Sequence, residues 1–186
     1  MPTLHTPTRP ATLYGLAKLA TANGLEALGH LGLSTAWARL FFMYGPGASE
    51  RRMPGAVITA LHAGEIARCS AGTQSRDFLH IDDAADALVR LVDSPVTGPI
   101  NICSGQPTTI REMAIQTAEL MGRPELLQLG AIPTHPNEPS LILGDATRLR
   151  DELGWQPAHS LKTGLRQTIA VHRDSSLTRV QSKEAA

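Results

Sequence analysis

RDFLHIDDAADALVRLVDS, residues 76–94, is the stretch that decides the fold class. From His80 onward its apolar side chains recur at helical spacing, which predicts an amphipathic helix with one buried face. The residues on that face are Ala84, Leu88, Leu91 and Val92. Asp82 or Asp83 suits the N-terminal end of this helix, where a carboxylate meets unpaired backbone N–H groups. The next apolar run, GPINICSG at 98–105, is short and continuous, which indicates a buried strand.

The same alternation of helix and apolar strand continues along the chain in both directions. Further predicted helices cover 12–29, 53–64, 108–122, 145–155 and 160–173, and further predicted strands cover 34–42, 66–71 and 126–132, with a turn at 72–75. Thr109 followed by Glu112 is a capping-box pattern at the start of one helix. Because the strands are apolar runs separated by helices, the chain is predicted to be an α/β protein with a mainly parallel sheet.

Composition argues against several classes of function. The chain carries 17 basic and 17 acidic side chains, so it has no strong positive charge to hold a nucleic acid. No apolar run is long enough to cross a membrane, and the start of the chain lacks the apolar core of a secretion signal. Cys69 and Cys103 are far apart and are interpreted as reduced thiols of a cytoplasmic protein. The seven histidines show no metal-binding spacing, so no metal site is expected.

Tyr14 and Lys18 stand four residues apart in YGLAK, so they share one face of the first predicted helix. An ammonium held near a phenol favours the phenolate, and such a pair can exchange a proton from a rigid element. The pair alone is a weak signal. A half-buried tyrosine beside a solvated lysine explains the same two residues without any chemistry.

Five blocks of sequence, in matching order and spacing, resemble the extended short-chain dehydrogenase/reductase family. More narrowly, they resemble its NAD-dependent sugar-nucleotide epimerase/dehydratase branch. The blocks are YGLAK (14–18), ARLFFMYGPG (38–47), GTQSRDFLHIDDAADAL (72–88), GPINICSGQPTTIREMA (98–114) and DATRLRDELGWQP (145–157). The third block is the most specific of them, and the resemblance extends from Tyr14 to about His172.

The resemblance implies a cofactor, a substrate class and a catalytic pair. Tyr14 would be the catalytic acid and base at a sugar carbon, and Lys18 would hold the ribose of the cofactor. Leu40 and Phe41 would lie beside the nicotinamide of NAD or NADP. The substrate implied is a nucleotide-diphosphate sugar.

The implied substrate residues depart from the family pattern in two places. Phe42 stands where the family usually has an asparagine, and its ring cannot form an ordinary hydrogen bond. Arg76 corresponds to the arginine that binds the diphosphate, a role that suits a guanidinium fork. A surface salt bridge with Asp77 is the alternative. HPNEP, residues 135–139, falls where many members carry an Arg-x-Gly-Asp-like stretch that contacts the nucleoside, and His135 and Glu138 take the outer positions of that stretch. An ordinary polar loop explains HPNEP equally well.

Two parts of the family pattern are not found in this sequence. It has no glycine-rich turn for the cofactor pyrophosphate, and thirteen residues before Tyr14 are too few for the family's catalytic Ser or Thr. The expected fold is therefore a truncated Rossmann-like parallel sheet remnant plus the small α/β substrate-binding domain. The predicted divisions are a dinucleotide-binding remnant at 1–45, a substrate-binding part at 46–173 that includes the last Rossmann helix and strand at about 80–104, and a loose tail at 174–186.

The expected function is that of the C-terminal portion of an NAD(P)-dependent sugar-nucleotide epimerase, dehydratase or 4-ketoreductase. Alone, the chain is expected to be inactive and to bind cofactor weakly or not at all. Its expected partner is a missing N-terminal half or a second copy, because the helix of Tyr14 should expose apolar surface and the strands should have open edges. The alternative is a non-catalytic remnant that binds a nucleotide sugar or a partner protein.

Overall fold

The computed structural model describes the backbone of residues 8–47, 49 and 51–184, with side chains as far as His172. The helices are α1 (Leu13–His30), α2 (Gly55–His62), α3 (Ile81–Val92), α4 (Ile110–Leu120), α5 (Thr147–Asp151) and α6 (Leu161–Glu184). The strands are β1 (Ala36–Leu40), β2 (Phe42–Tyr44), β3 (Ala67–Arg68), β4 (Ser75–His80), β5 (Gly98–Ile102), β6 (Pro107–Thr109), β7 (Leu127–Gln128) and β8 (Leu141–Ile142). The predicted α/β class, with mainly parallel pairing, is confirmed.

The strands form three small sheets. β1 pairs with β5 in parallel, and β3 pairs with β7 in parallel. In the third sheet β4 is central, with β2 and β8 parallel to it and β6 antiparallel. The single strand predicted at 34–42 is therefore wrong, because the chain leaves the first sheet after β1 and enters the third at β2. Phe41 is the residue between them, and an apolar run does not reveal such a change of partner.

β4 is the longest strand that the sequence analysis did not predict, and the short strands β6 and β8 were not predicted either. Its buried residues lie on both faces of the strand and include the polar residues Arg76, Asp77 and His80. Because of these polar side chains, the sequence shows no continuous apolar run here. His80 also provides the N-cap of α3, because its Nδ1 accepts a hydrogen bond from the backbone N–H of Asp82 at 3.3 Å. Asp82 and Asp83 lie in the first turn of α3, as predicted for the N-terminal end of this helix, but the N-cap itself is His80 and not either aspartate.

One other helix end follows the prediction and one does not. At α4, Thr109 Oγ1 accepts from the backbone N–H of Glu112 at 3.0 Å, and Glu112 Oε2 accepts from the backbone N–H of Thr109 at 2.7 Å. This is the predicted capping box. The backbone of α6 is helical to Glu184, whereas the sequence analysis expects a loose tail from residue 174. Residues 174–184 contain neither proline nor glycine, so nothing in the sequence stops the helix.

Two hydrophobic clusters form most of the core. The larger lies between β1, β5, α3 and α5, and its buried residues are Leu79, Ala84, Ala87, Leu91, Ile100, Ile102, Cys103, Ala146, Leu149 and Trp155. The second lies between α2, α4 and β3, and its buried residues are Val57, Leu61, Ala67, Cys69, Ala114 and Ala118. Both cysteines are buried and unpaired, and burial raises the pKa of the Cys103 thiol to about 12. Their interpretation as reduced thiols is confirmed.

α1 takes no part in this core. None of its residues is buried, and its apolar side chains Leu13 and Leu16 are 84% and 52% exposed. Thr12 caps it by accepting from the backbone N–H of Gly15 at 3.1 Å, so the helix has a defined start but no packed face. The predicted exposure of an apolar face on this helix is confirmed.

Asp77 ties β4 to two neighbouring segments. Its side chain is fully buried, and its two oxygens accept four hydrogen bonds from two loops. The donors are Ser104 N at 2.7 Å, Ser104 Oγ at 2.7 Å, Gly105 N at 3.0 Å and Gly144 N at 3.1 Å. The carboxylate therefore holds the ends of β5 and β8 against β4. The alternative of a surface salt bridge between Arg76 and Asp77 is wrong, because Asp77 is fully occupied by these loops.

Candidate functional site

Arg76 lies under the surface of the third sheet with only 3% of its area exposed. Its Nη1 donates to the carbonyl oxygens of Ser75 at 2.7 Å and Pro139 at 2.9 Å. Its Nη2 donates to Glu138 Oε1 at 2.7 Å, which makes an ion pair. A guanidinium has five N–H donors, so these three bonds leave part of its donor capacity for another acceptor.

Three of the predicted substrate residues meet at this position. The guanidinium carbon of Arg76 lies 5.6 Å from the centroid of the Phe42 ring, within the range of a cation–π contact. Phe42 is 40% exposed, so its ring forms part of the outer wall. The buried side chain of Gln74 donates from Nε2 to Glu138 Oε2 at 3.3 Å. We call Phe42, Gln74, Arg76 and Glu138 the Arg76 cluster.

Gln74 is a member of this cluster that the sequence analysis missed. It stands two residues before Arg76, and side chains two apart point to the same side of an extended chain. That spacing is the signal that could have identified it once β4 was recognised as a strand. Its Oε1 is buried without a hydrogen-bond partner among the described residues.

His135 does not join the cluster through any contact described. It is exposed in the segment 131–140, and its ring Nδ1 lies 3.4 Å from the backbone N of Asn137. Its carbonyl oxygen accepts from the backbone N–H of Glu138 at 3.1 Å. His135 therefore shapes the turn that presents Glu138, and its binding role stays a prediction.

Tyr14 and Lys18 lie together near the start of α1, as their spacing predicts. Lys18 Nζ is 5.8 Å from the centroid of the Tyr14 ring. Tyr14 is 73% exposed and Lys18 is exposed, so both groups face solvent in this chain. The pair is accessible to a substrate or cofactor from outside, and its catalytic role stays a prediction.

Leu40 and Phe41 occupy different environments at the end of β1. Leu40 is 46% exposed at the carboxyl end of this strand, the position at which parallel sheets generally hold ligands. Phe41 packs against the larger hydrophobic cluster, and its backbone N–H donates to Ile102 at 3.2 Å. The structure thus uses Phe41 for packing and leaves Leu40 available.

A pair of stacked imidazoles lies at the junction of β4, α3 and the loop before α6. The rings of His80 and His159 are 4.3 Å apart with an interplanar angle of 30°. His159 Nδ1 lies 2.9 Å from Asp83 Oδ1, and Asp83 also accepts from two backbone N–H groups of that loop. His80 and His159 are 79 positions apart in the sequence, and the fold brings their rings together.

Ligand atoms of His80, Asp82 and His159 lie within 4.8 Å of one another, close enough for one metal ion to reach all three. The rings are stacked, however, so their in-plane lone pairs run side by side instead of meeting at one point. Asp82 Oδ2 also accepts from Gln167 Nε2 at 2.9 Å. We therefore assign these residues to the attachment of α6 and place no metal there.

The stability of the chain is expected to fall as the pH drops below about 6.5, the ordinary pKa of histidine. Burial, and then the neighbouring His159, lower the pKa of His80, while Asp82 and Asp83 oppose this. The unfolded chain therefore binds a proton that the folded chain does not, at a cost of up to about 1.4 kcal/mol per pH unit. Urea unfolding between pH 7.5 and 5 measures the slope.

His80→Asn is the matched variant for this measurement, because an asparagine keeps a side-chain acceptor at the N-cap of α3 and removes the titrating ring. Its stability should change less with pH than that of the wild type over the same range. Parallel curves for the two proteins would show that His80 is not the responsible group.

The sequence model of the NAD dependent epimerase/dehydratase family matches residues 2–103, more than half of the chain. The chain belongs to this family. The matched range includes α1, β1 to β5, and three members of the Arg76 cluster, Phe42, Gln74 and Arg76. The resemblance proposed from the five sequence blocks is thereby confirmed.

Individual relatives within the epimerase/dehydratase family are similar over most of the chain. UDP-glucuronic acid decarboxylase 5 of Arabidopsis thaliana is 29% identical over 153 residues, which cover 77% of this chain and 44% of the relative. GDP-L-fucose synthase 1 of Arabidopsis thaliana is 34% identical over 171 residues, which cover 83% and 51%. The chain thus spans about half the length of the curated relatives it matches.

A solved structure shows the same family relationship in three dimensions. RMD from Pseudomonas aeruginosa, a complex with NADPH, superposes with a TM-score of 0.81 at 26% identity, covering 92% of this chain and 60% of that one. The fold of this chain is therefore Rossmann-like, and it corresponds to about half of the fold of complete family members. Among the described residues, no helix has the length and apolar character needed to cross a membrane.

Proposed function

We propose that this chain is the substrate-side portion of an NAD(P)-dependent enzyme that acts on a nucleotide-diphosphate sugar. The observation that carries the proposal is the Arg76 cluster, where a buried guanidinium, an aromatic ring and a carboxylate from separate segments converge. A guanidinium fork matches diphosphate oxygens. Glu138 offers oxygens that can accept hydrogen bonds from ribose hydroxyls, and the apolar Phe42 ring offers a stacking surface.

Tyr14 and Lys18 would supply proton transfer in this enzyme. The Tyr14 phenolate removes the proton of a sugar hydroxyl as the carbon is oxidised, and the phenol that results returns this proton on reduction. The Lys18 ammonium, already beside the ring, favours the phenolate that is needed before the oxidation step. Epimerase, dehydratase and 4-ketoreductase activities all use this step, and the residues of this chain support the three equally.

The residues present fit only one end of the cofactor. Tyr14, Lys18 and Leu40 are exposed and suit the nicotinamide and its ribose. When bound, the nicotinamide supplies a hydride acceptor or donor. No glycine-rich turn occurs in the 186 residues to hold the pyrophosphate. We therefore propose that a further segment, a missing N-terminal half, completes the cofactor site.

The surface of α1 and β1 supports a covering segment of this kind. α1 has no buried residue, and among the described strands β1 has only β5 as a neighbour, so its other edge is open. A cleft of about 650 Å³ separates the C-terminal half of α1 from the starts of β1 and β5. Trp37 and Leu25 are among its lining residues. Added strands and helices of a Rossmann sheet would bury this apolar surface.

Binding of nucleotide sugars is expected to depend on the fork of Arg76. Calorimetric titration with uridine- and guanosine-diphosphate sugars should show affinity that Arg76→Lys weakens about tenfold, because lysine keeps the charge and loses the planar fork. Arg68→Lys, on an exposed position of β3, is the matched control and should leave the affinity unchanged. Equal affinities of the wild type and Arg76→Lys would contradict the proposal. Tight binding without any turnover by the completed enzyme would instead favour a binding protein.

A further inference from the structure

Arg76 is 3% exposed, so a diphosphate reaches it only if part of its cover moves. The cover has two parts, the Phe42 ring and the segment 133–139, which we call the strap. The strap is anchored at its start, where the backbone N–H groups of Ala131 and Ile132 donate to the carbonyl of Cys69 at 2.9 and 3.3 Å. It is anchored at its end, where the backbone N–H of Ser75 donates to the carbonyl of Ser140 at 2.8 Å.

Between these anchors the strap is held by one short row of contacts. All of its residues are exposed. In the hydrogen bonds described between the strap and the rest of the molecule, the Glu138 carboxylate accepts from Arg76 and Gln74, and the carbonyl of Pro139 accepts from Arg76. The ion pair of Glu138 with Arg76 is therefore the principal side-chain restraint on the strap, and it lies near the C-terminal end of the strap.

We propose that Glu138 is a latch whose carboxylate takes the place of a ligand anion on Arg76, and that a diphosphate binds by displacing it and releasing the strap. This inference rests on the proposed function, since it concerns the same guanidinium. It adds a competition between the Glu138 carboxylate and the diphosphate for Arg76, which the proposed function does not include. In the latched state the enzyme is closed to its substrate, and substrate phosphate is the group that opens it.

The chemistry of the contact favours exchange. Glu138 meets the guanidinium through a single oxygen, Oε1, so the ion pair uses one arm of the fork. A diphosphate presents several oxygens and more negative charge, and can use both arms. The Glu138 side chain is already 32% exposed, so its carboxylate returns to water at small cost once it is released.

Gln74 also favours exchange over a permanently closed strap. Its Nε2 donates to Glu138 Oε2 at 3.3 Å, and its Oε1 is buried without a partner among the described residues. When Glu138 leaves, the Gln74 amide group remains to donate to an incoming phosphate oxygen.

Inorganic pyrophosphate is the probe for the latch, because it has no ribose and no sugar that could touch Glu138. Calorimetric titration of the full chain should show pyrophosphate bound at least about tenfold more tightly by Glu138→Gln than by the wild type, since tenfold corresponds to about 1.4 kcal/mol, the scale of one charge-assisted hydrogen bond. Glutamine keeps the shape and an acceptor oxygen for Arg76. Glu125→Gln, on an exposed turn, is the matched control and should bind like the wild type.

Affinity for pyrophosphate that is unchanged, weaker or absent in Glu138→Gln overturns the latch. A second measurement needs no variant: hydrogen exchange at the backbone amides of 133–139 should speed up when pyrophosphate is added to the wild type. Slower exchange there would mean that the strap closes over the ligand, which also overturns it. If nucleotide sugars bind through Arg76 while both results go against the latch, the inference fails and the proposed function stands.

Discussion

Tyr14→Phe is expected to lower turnover of a nucleotide sugar by about 10²- to 10⁴-fold, the usual contribution of a positioned acid or base. The assay uses the chain combined with a cofactor-binding half of the family, and follows reduced nicotinamide or product. Phenylalanine keeps the ring that lies 5.8 Å from the Lys18 ammonium and removes only the hydroxyl. A loss of turnover without a loss of substrate affinity would therefore identify the proton-transfer group.

The control for this variant lies on the same helix. Thr21→Ser changes an exposed side chain further along α1 and should leave turnover within about twofold of the wild type, since exposed substitutions rarely matter. If Tyr14→Phe behaves like Thr21→Ser, the Tyr14–Lys18 pair is an ordinary exposed pair and the catalytic proposal for it is wrong.

Asp77→Asn is expected to lower the free energy of unfolding by about 3 to 5 kcal/mol. The Asp77 side chain is fully buried, and each of its oxygens accepts two of the four hydrogen bonds from Ser104, Gly105 and Gly144. An asparagine has one oxygen and one NH₂ group, so either orientation sets at least one backbone N–H donor against the NH₂ group. Urea unfolding of both proteins measures this difference, and the dependence of the free energy of unfolding on urea concentration is compared between them.

Asp93→Asn is the matched control, because Asp93 is an exposed aspartate at the C-terminal end of α3. Its effect on the free energy of unfolding should stay within about 0.5 kcal/mol. A loss below about 1 kcal/mol for Asp77→Asn would mean that water or the loops themselves satisfy the four donors. The account of Asp77 as the tie between β4, β5 and β8 would then fail.

The helices were predictable because their signals are local. α3 and α4 follow from apolar spacing and from the Thr109–Glu112 capping box, which need only neighbours along the chain. β4 was missed because its partners, β2, β6 and β8, come from distant parts of the sequence and bury its polar side chains. The change of sheet at Phe41 is also set by these partners, since β1 pairs with β5 and β2 with β4.

The candidate site divides in the same way. Phe42, Arg76 and Glu138 were identified from the family resemblance, and the fold brings them together. The pairing of Arg76 with Glu138 instead of with Asp77 could not be predicted, because it depends on where the strap lies relative to β4 in the fold. Gln74 was missed because its role appears only when β4 is seen as a strand. The divisions at 1–45, 46–173 and 174–186, and a cytoplasmic location, stay predictions.

The central claim is that this chain holds the substrate and proton-transfer groups of an enzyme whose cofactor site is completed by another segment. Its most direct test is turnover of a nucleotide sugar with NAD or NADP by the purified chain, by a cofactor-binding half of the family, and by the two together. We expect turnover only from the combination, and we expect Tyr14→Phe to abolish most of it. Turnover by the 186-residue chain alone, or a combination whose turnover ignores Tyr14, would contradict the claim.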